Sequence, residues 1–138
     1  MLIHKTFVRV HYADTDQMQY AYNGKFFEYF EVGRTEMMRE HGLPYKTIEA
    51  EGFQMPVRET YIKFINPAFY DELLEIETRV ESLPQARVHI DHTVTSKNRK
   101  VVIAEGHVEL AFINKETKKI SRAPRFFIDA IKAEFYKS

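Results

Sequence analysis

Only one long stretch of this chain carries apolar side chains at helical spacing, and that limits what it can fold into. From Asn23 to about residue 42, Phe26, Phe30, Gly33, Met37 and His41 fall on one stripe, while Lys25, Glu28, Val32, Glu36 and Arg39 fall mostly opposite. Such a helix must bury its aromatic side, so the rest of the chain has to supply a surface that covers it. Phe26, Phe27 and Phe30 are expected in the core. Gly33 at mid-helix is about 1 kcal/mol worse than alanine for helix formation, which predicts close approach to another backbone. Asn23 reads as a side-chain N-cap, and Gly42 with Pro44 ends the helix.

The covering surface reads as strands. Residues 5 to 12 alternate, with Val8, Val10 and Tyr12 on one face against Arg9 and His11 on the other. Residues 57 to 65 form a second strand, stopped by Asn66-Pro67. Leu74, Ile76, Thr78 and Val80 then alternate with Glu75, Glu77, Arg79 and Glu81, a half-buried strand. Val88, Ile90, His92 and Val94 share a face in the next. Val102, Ala104, Gly106, Val108, Leu110 and Phe112 share one in the last, after a polar turn at Lys97-Asn98-Arg99-Lys100. Ala123-Pro124 opens a short terminal helix. One central helix and five antiparallel strands without βαβ alternation give an α+β fold, a curved sheet wrapped around the helix.

With 138 residues and 44% hydrophobic content, residues 1–138 are expected to form a single domain with one core. Twenty basic side chains balance twenty acidic ones, so no global field favours nucleic acid. There is no cysteine, which excludes a thiolate nucleophile and Cys-ligated zinc. No apolar run approaches membrane-spanning length and no signal peptide is evident, so no membrane insertion and a cytoplasmic address are expected.

Chemistry concentrates just ahead of the helix. Asp16 closes the Asp14-Thr15-Asp16 turn seven residues before Asn23. Free N–H groups at a helix start stabilise negative charge, so a carbonyl lodged there would be polarised, and a facing carboxylate could drive its hydrolysis. Taken singly, both aspartates suit an ordinary turn. Other machinery is missing: the glycines at 24, 33, 42, 52 and 106 build no nucleophile elbow, dinucleotide fingerprint or phosphate loop. His89-Ile90-Asp91-His92 resembles a metal cluster in composition, but alternation sends His92 to the opposite face from His89 and Asp91. His92 is expected as a hydrogen-bonded core histidine, and Glu31 with Arg34 as a helix pair. Neither metal nor cofactor is expected.

Tyr12-Ala13-Asp14-Thr15-Asp16, Tyr22-Asn23-Gly24-Lys25-Phe26 and Phe30-Glu31-Val32-Gly33-Arg34 together resemble the opening motif of the hotdog-fold acyl-CoA thioesterases. The likeness is to the branch with hydroxybenzoyl-CoA thioesterase and the YbgC-like enzymes, over roughly residues 5 to 130. It implies a hotdog fold, an acyl-CoA substrate, and a homodimer or homotetramer with sites at the interface of two sheets joined edge to edge. It implies that Asp16 is the catalytic carboxylate, that the Asn23 backbone N–H polarises the thioester carbonyl, and that Tyr22, Gly24, Met55 and Val57 contact substrate. The chain departs from the family pattern at Gln19, where a glycine is usual, and at Asn23, where many relatives carry histidine or tyrosine. A basic cluster that grips coenzyme A in one relative would fall at Pro84-Gln85-Ala86, with only Arg87 nearby. A hotdog module that binds acyl thioesters without turnover is the alternative. A hotdog hydratase would need a histidine between His11 and His41, and there is none.

Overall fold

A computed structural model describes residues 1–136. Strand β1 (Leu2–Arg9) runs through a short 3-10 turn (Tyr12–Asp14) to the long helix α1 (Lys25–Glu40) and a one-turn helix α2 (Tyr45–Ala50). Strands β2 (Phe53–Gln54), β3 (Val57–Phe64), β4 (Leu73–Val80), β5 (Arg87–Ser96), β6 (Val102–Asn114) and β7 (Ile120–Ser121) follow, then helix α3 (Arg125–Ile131). The five expected strands are present, and the two-residue strands β2 and β7 extend the sheet to seven. Its path is β1-β4-β5-β6, antiparallel throughout, with β3 pairing along β6. One edge is therefore β1 and the other β3.

Helix α1 crosses the concave face over β1, β4 and β5. Phe26, Tyr29, Phe30, Gly33, Met37 and Met38 are its buried residues, against Leu74, Ile76, Val80, Ile90 and Val94 of the sheet. Each fully buried aromatic or aliphatic side chain contributes about 1.5–3 kcal/mol of transfer free energy. Gly33 has the expected close approach, though to side chains rather than to backbone: a Cβ there would stand 2.6 Å from Thr78 Oγ1 and 2.8 Å from Ile76 Cγ2. The neighbouring Phe30 ring stacks on His92 at 4.5 Å. His92 is fully buried on β5, with Nδ1 3.0 Å from Thr78 Oγ1 and Nε2 unpartnered. His89 and Asp91 project from the other face and pair at 3.1 Å. Among the described residues no group of three His, Asp or Glu side chains is placed to hold a metal.

Three expectations need correction. Strand β1 spans 2–9 rather than 5–12, because the chain turns at Tyr12, which is left exposed. Phe27 points to solvent, since one 100° step from Phe26 carries it off the buried stripe. Asn23 is not the N-cap: α1 starts at Lys25 and Gly24 holds that position, with no side-chain capping bond. The helix is entered through 3-10-type bonds, from Lys25 N–H to the Tyr22 carbonyl (2.8 Å) and from Phe26 N–H to the Asn23 carbonyl (3.2 Å), which take the role of a cap.

Candidate active site

The segment between β1 and α1 is a double-bonded loop. Thr15 bridges Ala21, and the Tyr22 N–H donates to the Asp14 carbonyl at 2.8 Å, so residues 16–20 form a protruding turn. Asp16 stands at its base. Its N–H donates to the Tyr20 carbonyl and its carbonyl accepts from Gln19 N–H, each at 2.9 Å. Its Oδ1 accepts from the Met18 N–H at 2.8 Å and more weakly from Tyr20 N–H at 3.4 Å. Among the described residues no hydrogen bond reaches Oδ2. Gln19, at the position where the resembling family has glycine, adopts φ +66°, the left-handed region that favours glycine. A non-glycine side chain here strains the turn.

Asp14 sits two residues away and is differently placed. Its Oδ2 accepts from the His11 N–H (3.0 Å) and the Tyr29 hydroxyl (3.0 Å), and Lys25 Nζ lies 3.4 Å from Oδ1. Burial pushes this carboxyl up, but the His11 amide, the Tyr29 hydroxyl and Lys25 together outweigh it and hold it below its ordinary 3.8. Every oxygen has a donor, so Asp14 locks the turn onto α1.

Asp16 and Asn23 line one cavity of about 280 Å³, walled by Tyr20, Ala21 and Phe26 on one side and by the Phe64–Ala68 segment on the other. The turn at the entry of α1 consumes the N–H groups of Lys25, Phe26 and Phe27. Those of Asn23 and Gly24 have no backbone acceptor among the described residues, and they lie at the positive end of a 16-residue helix. A carboxylate with a free oxygen and unspent amides at a helix start are the two elements of acyl transfer without a side-chain nucleophile such as serine.

The other expected contacts are dispersed. Tyr22 is exposed and its ring folds over Gly24, where a Cβ would stand 2.6 Å from Tyr22 Cε2. Met55 is buried and lines a separate cleft of about 370 Å³ with Arg34, Met38, Leu43 and Leu110. Val57 opens edge strand β3 and is exposed. Within one chain neither Met55 nor Val57 reaches the Asp16 cavity. Arg34, expected to pair with Glu31, makes no ion pair with it; burial lowers the Arg34 guanidinium and the Glu31 charge raises it. Arg87 is engaged by Glu109 at 3.9 Å. The Phe64–Ala68 wall was legible in sequence only as a strand stop at Asn66-Pro67.

A family model described as "Thioesterase-like superfamily" matches residues 10–133. The acyl-CoA thioester hydrolase YbgC of Escherichia coli O157:H7 is 30% identical over 129 residues, covering 93% of this chain and 92% of that protein. The acyl-CoA thioesterase YbgC of Haemophilus influenzae is 26% identical, covering 94% and 91%. Among solved structures, the DHNA-CoA thioesterase of Staphylococcus aureus superposes with a TM-score of 0.85 at 25% identity, over 100% of this chain and 98% of that one.

Proposed function

The chain belongs to the thioesterase-like superfamily, and from that membership we propose that it hydrolyses acyl-CoA thioesters with Asp16 as the catalytic carboxylate and the Asn23 backbone N–H as the carbonyl-polarising donor. The observation that carries this reading is the shared cavity: Asp16 and Asn23, whose N–H has no backbone acceptor among the described residues, line one space. The thioester oxygen sits on the Asn23 amide, with the positive end of α1 behind it. Asp16 Oδ2 takes a proton from water as the water oxygen bonds to the carbonyl carbon. The C–S bond then breaks, the free acid forms, and the departing thiolate recovers the proton as coenzyme A thiol. Asp16 is solvent-exposed, so water reaches it. Tyr22 and Gly24 shape the rim of this site.

Exposure is also why a single chain makes a poor catalyst, since charge stabilisation weakens in bulk water. Strand β3 offers an unpaired edge whose exposed apolar residues include Val57, Tyr61 and Phe64. Antiparallel pairing of β3 with a second copy about a two-fold axis would lay the Met55–Val57 end of one chain against the Phe64–Ala68 end of the other, the wall of its Asp16 cavity. Met55 and Val57 then contact the acyl group bound by the partner subunit. The working species in this reading is a homodimer or a tetramer built from dimers.

The test is thiol release from short, long and aromatic acyl-CoA esters by the wild type and by Asp16→Asn. Turnover by the wild type and a roughly hundredfold to ten-thousandfold loss in the variant are expected. Binding with thiol release no faster than in buffer for every ester would make the protein an acyl-thioester-binding module instead.

A further inference from the structure

The far wall of the Asp16 cavity is held by an ion pair that the chemistry above does not use. Glu72, only 8% exposed, follows the 64–69 segment, and Arg99 lies in the turn between β5 and β6. Arg99 Nε donates to Glu72 Oε2 at 2.6 Å and a terminal nitrogen donates to Oε1 at 2.9 Å. The Ser96 hydroxyl donates to Oε2 and the Phe69 N–H to Oε1 at 3.0 Å, so four donors saturate one carboxylate. That same Arg99 nitrogen also donates to the Pro67 carbonyl at 2.7 Å, and the guanidinium lies over the Phe69 ring, 4.6 Å from its centroid. The pair thus grips the wall segment at Pro67 and at Phe69, on either side of Ala68.

Those gripped residues are the ones that hold the catalytic turn. The Ala21 N–H donates to the Ala68 carbonyl at 2.8 Å, Tyr20 forms a β-bridge with Phe69, and their rings meet edge-on at 5.4 Å. Tyr20 in turn carries the N–H and carbonyl that bind Asp16. An unbroken path of short contacts runs from Arg99 and Glu72 through Pro67–Phe69 and Tyr20–Ala21 to the Asp16 carboxylate. Glu72 is buried but Arg99 stands open to water, and an ion pair wetted on one side adds little stability; what this one supplies is a fixed backbone position.

We propose that Arg99 and Glu72 are positioning residues for the hydrolysis, clamping the 66–69 segment so that the Asp16 turn faces the start of α1. Neither touches substrate; both act through the turn. This inference rests on the assignment of Asp16 as the catalytic carboxylate. Misplacement of a reacting group by about 1 Å costs up to about a hundredfold in rate, so loosening the clamp falls on kcat. KM moves little, since the carbonyl-binding Asn23 amide sits at the entry of α1, outside the clamped 66–69 segment.

The experiment measures kcat and KM for acyl-CoA in wild type, Arg99→Ala, Arg99→Lys, Glu72→Gln and Asp16→Asn, each well below its melting temperature. Ile131→Ala, a core variant far from the clamp, reports what lost stability alone does. We expect kcat to fall about ten- to a hundredfold in Arg99→Ala and Glu72→Gln with KM within about twofold. Arg99→Lys keeps the charge but not the forked donor set and should fall between, giving partial rescue. Ile131→Ala should melt lower at unchanged kcat. Wild-type kcat in folded Arg99→Ala and Arg99→Lys overturns the positioning role, as does an equal kcat loss in Ile131→Ala. Wild-type kcat in Asp16→Asn overturns the catalytic assignment itself, a separate failure.

Discussion

Asp14 and Asp16 stand two positions apart and show how one residue type divides its work by environment. Asp14 has donors on both oxygens and Asp16 has one oxygen free. Asp14→Asn is therefore expected to lower the melting temperature while kcat, measured cold, stays within a few-fold; a dead but fully stable Asp14→Asn would reverse the two roles. The pH dependence follows with a definite sign. Because the folded Asp14 carboxyl lies below its ordinary 3.8, its contribution is complete above that pH and disappears as pH falls through the lower folded value. Glu72, where burial raises the carboxyl but Arg99, Ser96 and the Phe69 amide together hold it below 4.5, loses its contribution in the same direction. Melting curves from pH 6 to about pH 3 should fall more steeply for the wild type than for Asp14→Asn. Gln19 supplies a converse case. A side chain at φ +66° costs about 1–2 kcal/mol, partly offset by the backbone entropy that glycine brings, so Gln19→Gly should stabilise the fold by up to about 1 kcal/mol. An unchanged or lowered melting temperature would show that the Gln19 side chain makes up for the strain.

Helix α1 was legible because its buried stripe is long and aromatic, and β4 and β5 because they alternate without interruption. What escaped was short or decided by backbone bonds. Helix α2 has six residues and β2 and β7 two each, too few for a period to register. The cap of α1 was displaced by one residue, from Asn23 to Gly24, because 3-10 bonds to the Tyr22 and Asn23 carbonyls replaced the side-chain cap that asparagine suggested. The Asp16–Asn23 pairing came through the motif, whereas the Phe64–Ala68 wall and its Arg99–Glu72 grip depend on contacts about 30 positions apart that no local pattern carries. At Gly33 the expected close approach is present but is made by side chains of β4 rather than by backbone, and Gly33→Ala tests it. Alanine would gain up to about 1 kcal/mol in helix propensity, yet its methyl would collide with Thr78 and Ile76 of β4, an overpacking that costs about 1–3 kcal/mol. A lower melting temperature is expected; a higher one would mean that β4 yields freely. His92, beneath this contact, is depressed to about 3 by burial first and by the charges of Arg34 and Arg79. It folds neutral, so its share of stability is whole above the ordinary 6.5 and drains as pH falls from there toward 3.

At the scale of the whole molecule, the residues expected to contact substrate lie in two places that one chain does not join. Asp16 and Asn23 line the cavity at the start of α1, and Met55 and Val57 lie at the other end of β3, eight residues long. Pairing of two β3 edges about a two-fold would unite them across subunits, each complete site taking Asp16 from one chain and Met55 and Val57 from the other. The expected solution mass is then at least twice the 16.4 kDa of the chain, and a fully active monomer would contradict the arrangement. A sharper test uses subunit exchange. Asp16→Asn removes the carboxylate, and Val57→Trp obstructs the acyl side; each homodimer should be inactive, because both of its sites carry the same defect. When the two are mixed and allowed to exchange, half of the dimers are hybrids. In a hybrid with composite sites, one site collects both defects and the other collects neither, so activity should recover to about a quarter of the wild-type value from two inactive parents. If each site were built within one chain, every site in the mixture would still carry one defect, and thiol release would stay at the average of the parents. Recovery that follows the kinetics of exchange would establish that the acyl group lies across the subunit boundary.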